Sequence, residues 1–132
     1  MKQNVTAEKA FSFAERVYKL HRYLMDEKKE YILAKQILRS GTSIGANFEE
    51  AIGAQSTKDF IAKVSLAYKE AREKSYWLRL LRQVKVIEEP HFESIHKDCK
   101  ELINLLSSIL ITTNLITTKT KLHNENKTPL LP

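Results

Sequence analysis

Apolar residues recur at every third or fourth position through almost the whole chain, and this period more than anything else limits what the chain can fold into. From Ala10 to Leu24 they fall at 10, 13, 14, 17, 20 and 24, one side of a helix predicted over Ala7 to Asp26. The all-polar run from Asp26 to Glu30 reads as the first loop. A second helix is predicted from Tyr31 to Ala54, with Leu33, Ile37, Ile44, Phe48 and Ala51 facing inward. Ser56 or Thr57 caps a third, whose stripe runs Phe60, Ile61, Val64, Ala67, Tyr68, Ala71, Ser75, Leu78 and Leu81. Glu88, Glu89 and Pro90 end it, because proline disfavours a helical residue before it yet is welcome in the first turn of the next helix. In that fourth helix Phe92, Ile95, Cys99, Leu102, Leu106, Ile109 and Thr113 alternate steps of three and four, a seam suited to shallow crossing angles.

Only 3 Gly and 3 Pro leave few places for sharp turns, so long helices on short loops follow, and 132 residues make one domain. The predicted fold is all-α, an antiparallel up-down-up-down four-helix bundle over residues 1–115. A flexible C-terminal tail is expected over 116–132, where the period is lost. The centre of the second helix is unusual. Gly41 and Gly45 each cost about 1 kcal/mol against alanine in a helix interior. Two readings account for them: close approach to a neighbouring helix with Ser40, Ser43 and Asn47 hydrogen-bonded inside, or a break near Gly41.

The net charge of +6 is unevenly placed. Thr57 to Ile87 holds eight basic and three acidic residues, whereas Glu88 to Leu102 holds two basic and five acidic. Helical projection gathers Lys58, Lys69, Arg72, Tyr76 and Arg79 on a flank of the third helix, and the first helix adds Lys9, Arg16, Lys19 and Arg22. These nine are the candidate nucleic-acid-binding residues, the cations contacting phosphates and Tyr76 offering a ring for stacking. A solvated helix face is the alternative. Leu66, Trp77, Leu80 and Val84 project roughly opposite the core stripe, and Phe11, Tyr18 and Met25 widen the apolar arc of the first helix. A helix apolar on two sides needs two neighbours, so Leu66, Trp77, Leu80 and Val84 are the candidate oligomer interface.

No catalytic or metal constellation is identified, and no cofactor is implied. His21, His91, His96 and His123 lack ligand spacing, and His96 with Cys99 supplies only two donors. Glu70 and Glu73 are read as structural partners of Ser40, Ser43 and Asn47. Arg16 and His21 match the arginine, four residues, histidine spacing of a superfamily of helical ribonucleases, but on the wrong helix and with His21 near the core stripe. A single cysteine, no apolar leader and no run long enough to span a bilayer lead us to expect a cytoplasmic protein.

Three segments, QILRSGTSIGANFEEA (Gln36 to Ala51), KEAREKSYWLRLL (Lys69 to Leu81) and CKELINLLSSI (Cys99 to Ile109), resemble the 23S rRNA intervening-sequence proteins. The likeness covers residues 10 to 115; Phe48, and the step Ala51-Ile52-Gly53, depart from the commoner pattern. That resemblance implies a four-helix bundle assembled into a homo-oligomeric ring, a pentamer, that binds nucleic acid without enzymatic activity. The family is similar in turn to the accessory proteins of diversity-generating retroelements, which partner a reverse transcriptase and RNA. An acidic protein partner docked on the basic face is thus the second functional expectation.

Overall fold

The computed structural model describes the backbone over residues 2–127 and side chains over 3–114. Four helices follow one another: α1 (Lys2–Asp26), α2 (Tyr31–Ile52), α3 (Thr57–Gln83) and α4 (Glu89–Lys127). Each packs on its neighbours in sequence and α1 closes the square against α4, while the backbones of the diagonal pairs, α1 with α3 and α2 with α4, make no close approach among the described residues. Links this short force antiparallel neighbours, so the chain is an up-down-up-down four-helix bundle.

α1 begins five residues before the predicted start, because Thr6, a polar residue invisible to an apolar count, is fully buried in its first turns. Ser56 caps α3, its hydroxyl accepting from the Asp59 N–H at 3.0 Å. α3 stops at Gln83, before the predicted break. There Lys85 takes a left-handed conformation (φ 62°) and the Val86 N–H returns to the Leu81 carbonyl at 2.9 Å, a closure that ends helices. Ile87 then plugs the end of the core. α4 remains helical to Lys127, past the point where the apolar period fades. Of the tail expected over 116–132, the side chains and residues 128–132 lie outside the described residues.

The predicted stripes of α1, α2 and α4 form the core, with Ala14, Leu33 and Thr113 half-buried at its margins. The α3 stripe needs one correction. Phe60, Ile61, Tyr68 and Ser75 are only half-buried, and Lys74 is fully buried between Ala71 and Leu78. The series 64, 67, 71, 74, 78, 81 is an unbroken helical face; spacing admits Lys74, and only its chemistry argues against it. Its Nζ donates to the Ile37 carbonyl at 3.2 Å, and burial pushes the amine down to about 7. Beside it the buried Cys99 thiol donates to the Ala71 carbonyl at 3.4 Å and is pushed up to about 12, by burial first.

α2 is continuous through its glycines, so the break does not occur. A Cβ on Gly41 would lie 2.5 Å from Val17 Cγ1, which means that the α1 and α2 backbones meet there more closely than any side chain allows. At Gly45 the nearest atom would be Ala10 Cβ at 3.7 Å, an ordinary contact. The expected polar network across the bundle is absent. Ser40 donates to the Ile37 carbonyl, Ser43 to the Arg39 carbonyl and Asn47 to the Ser43 carbonyl, all within α2. Short hydroxyl side chains reach the preceding turn rather than the next helix. Glu70 and Glu73 pair instead with Arg39, whose long side chain does span the gap.

Candidate nucleic-acid interface

The nine candidate residues divide by helix, and since α1 and α3 stand at opposite corners they do not share one face. On α1 most of the charge is spent on structure. Lys9 pairs with Glu101 at 2.6 Å, Arg16 with Asp98 at 2.6 Å and with both oxygens of Ser94, and Arg22 with Asp26 one turn on. Lys19 alone of the four has no carboxylate partner among the described residues. The acidic start of α4 therefore meets α1, which sequence counting cannot assign to a neighbour.

On α3 the situation is reversed. Lys58, Lys69, Arg72, Tyr76 and Arg79 are all exposed, and none of the four cations has a carboxylate partner among the described residues. Tyrosines brace the two arginines. Arg72 lies 5.9 Å from the Tyr68 ring centroid and donates to its hydroxyl at 3.3 Å. Arg79 lies 6.0 Å from the Tyr76 ring and donates to the Ser75 carbonyl at 3.4 Å. An arginine near an aromatic face keeps its charge and most of its donors.

Three residues that sequence reasoning missed complete this surface. Between α3 and α4 lies a hollow of about 270 Å³, lined by Arg72, Ser75 and Arg79 from one helix and His96, Lys100, Ile103 and Asn104 from the other. Ser75 Oγ and His96 Nε2 share a hydrogen bond at 2.9 Å. The His96 ring stacks on Phe92 at 4.7 Å, and Arg82 lies 4.1 Å from the Phe92 ring while pairing with Glu89. Burial first, then Lys100, Arg79 and Arg82, hold His96 below the usual histidine range. His96, Lys100 and Asn104 sit one turn apart along α4, a spacing legible in principle, but the acidic total of that segment hid it.

The apolar candidates also separate. Leu66 and Val84 are exposed, 44% and 52%, whereas Leu80 is half-buried and Trp77 packs against the core. Trp77 thus turns toward the core rather than away from it, with a buried indole N–H that has no acceptor among the described residues. On α1 Phe11 is 70% exposed and Tyr18 55%, while Met25 packs inward. Phe11 walls a shallow groove of about 280 Å³ floored by small residues, among them Ala7, Ala10, Ala14, Gly45 and Ala46.

Arg16 and His21 do not converge: Arg16 is held by α4, and His21 Nδ1 donates to the Ala34 carbonyl of α2 at 3.0 Å. Among the described residues no three His, Cys, Asp or Glu side chains are placed to hold a metal ion, and no helix is long and apolar enough to cross a membrane.

Comparison with known proteins places this geometry. A solved structure from Bacteroides thetaiotaomicron, described as a protein of unknown function from the S23 ribosomal protein family, is 50% identical and superposes with a TM-score of 0.82. The match covers 83% of this chain and 98% of that one. No curated protein matches. The model of the 23S rRNA-intervening sequence proteins matches residues 2–108, nearly the whole bundle, and the chain belongs to that family.

Proposed function

We infer that the protein is a non-enzymatic, homo-oligomeric nucleic-acid-binding protein of the cytoplasm that grips the phosphate backbone through α3 and the adjoining flank of α4. One observation carries this reading: Lys58, Lys69, Arg72 and Arg79 lie exposed along one face of α3 with no carboxylate partner among the described residues, whereas Lys9, Arg16 and Arg22 of α1 are each paired. Unpaired cations on one surface, with Tyr76 among them, suit phosphates and stacked bases and carry no means of reading sequence. Lys100 extends the surface onto α4. Lys9, Arg16 and Arg22 serve the fold in this account.

Oligomerisation is supported by two unlike apolar surfaces, the Phe11 groove on α1 and α2 and the Leu66 and Val84 patch on α3. A ring requires such a pair, since a heterologous interface joins two different patches of the same chain. A pentamer is the count that the family likeness favours. The test is a fluorescence titration of single-stranded and structured RNA at two salt concentrations. Binding that weakens steeply with salt supports the reading; absent or salt-independent binding overturns it. The second reading, docking of an acidic protein such as a reverse transcriptase, as in the retroelement accessory proteins, rests on the same free cations. Capture of such a partner, abolished by charge reversal at Arg72 and Arg79 while RNA fails to bind, would select it.

A further inference from the structure

The hollow between α3 and α4 has a composition that a merely solvated face does not need. Arg72 and Arg79 line it from α3 and Lys100 and Asn104 from α4, together with a hydrogen-bonded Ser75 and His96 pair. Behind the His96 ring, Phe92 stacks at 4.7 Å and carries Arg82 4.1 Å from its own ring. We propose that this hollow is a phosphate-binding site in which His96 takes up a proton as the phosphate enters. The proposal rests on the anion-binding reading above and deepens it by naming the residues that seat one phosphate group.

The hydrogen bond between Ser75 and His96 explains the coupling. In the neutral tautomer that carries its hydrogen on Nδ1, His96 Nε2 accepts from the Ser75 hydroxyl, which leaves that hydroxyl with no hydrogen to offer a ligand. When Nε2 gains a proton from solvent it becomes the donor, Ser75 becomes the acceptor, and the serine hydrogen turns free to bind a phosphate oxygen. The charged groups around the ring are Arg72, Arg79 and Arg82 from α3 and Glu93, Lys97, Lys100 and Glu101 on α4, the last paired with Lys9. Five of the seven are cations, so these surroundings oppose protonation, and an anion seated among them reverses that bias. The contribution of His96 to phosphate affinity therefore grows as pH falls through the histidine range and levels off once the ligand-free protein is protonated there.

The experiment follows the His96 ring proton by NMR across pH 5 to 8, assigned with His96→Gln, in the full-length protein. The probes are inorganic phosphate and a twelve-nucleotide single-stranded RNA carrying either a 5′-phosphate or a 5′-hydroxyl. Each bound probe should raise the His96 midpoint, and Arg79→Gln should weaken phosphate binding roughly fivefold, as expected for one exposed charge-assisted contact. Tighter binding of the 5′-phosphorylated strand assigns the site to a terminal phosphate, and equal binding assigns it to a backbone phosphate. A His96 midpoint unmoved at saturating RNA, or equal affinity of His96→Gln and the unmodified protein at pH 6, overturns the proposal. If RNA then still binds and Lys58→Gln with Lys69→Gln weakens it, the broader reading survives without this site. Phosphate that moves His96 in a protein binding no RNA keeps the site and removes the broader reading.

Discussion

Replacing Lys74 with methionine should free the fold from a pH dependence built into its centre. The side chain is fully buried, its amine has a backbone carbonyl as acceptor, and burial holds it at about 7 against an ordinary 10.5. Between pH 7 and 9 the unfolded chain keeps Lys74 protonated while the folded protein releases the proton. The unfolded state then binds more protons, so stability rises with pH, by about 2 kcal/mol across that interval. Below pH 7 both states are charged and the dependence flattens. The interval is chosen to isolate this group. His96, a base held low, acts below it; Cys99, an acid pushed up to about 12, lowers stability only above its ordinary 9.0. Methionine keeps the length and apolar stem of lysine, and the Ile37 carbonyl retains the Ser40 hydroxyl. Urea denaturation at pH 7, 8 and 9, at fixed protein concentration and ionic strength, reads the effect. The natural protein should gain about 2 kcal/mol from pH 7 to 9, and Lys74→Met should stay flat and be at least as stable at pH 7. Stability that is flat or falls in the natural protein, or rises equally in the variant, would refute the reasoning.

Two glycines four residues apart should respond with opposite signs. Gly41→Ala forces a Cβ into the stiff, β-branched Val17 and should lower stability by about 1 to 3 kcal/mol, whereas Gly45→Ala meets open contact distance and should raise it by up to about 1 kcal/mol, both read from urea midpoints. Solution mass should exceed the 15.3 kDa of one chain, and Phe11→Asp or Leu66→Asp should shift the population toward monomer without unfolding it, as measured by light scattering.

The helical period carried most of the fold because burial in a bundle is periodic and loops this short leave little choice of topology. It failed where burial did not follow polarity. Thr6 and Lys74 are polar residues on the inward face, and nothing in a count of apolar positions can admit them. Ser40, Ser43 and Asn47 were legible as unusual, but which carbonyl a hydroxyl selects is a matter of reach that spacing alone does not give. The α3 cations were legible as a stripe. Their freedom was not, because neutralisation depends on which helix stands opposite: α4 brings Asp98 and Glu101 to α1 and brings His96 and Lys100 to α3. The interface half contributed by α4 was hidden for the same reason, since one segment turns Asp98 and Glu101 to α1 and Lys100 to α3.

The most direct test compares two double substitutions that remove the same formal charge, Arg72→Gln with Arg79→Gln on α3 and Arg16→Gln with Arg22→Gln on α1. The quantity measured is the slope of log affinity for single-stranded RNA against log salt concentration. The α3 pair should flatten the slope by roughly 1.4, about 0.7 for each phosphate no longer neutralised, while the α1 pair should leave it unchanged. Equal flattening by both pairs would show that RNA responds to total charge, and would contradict a defined binding face on α3 and α4.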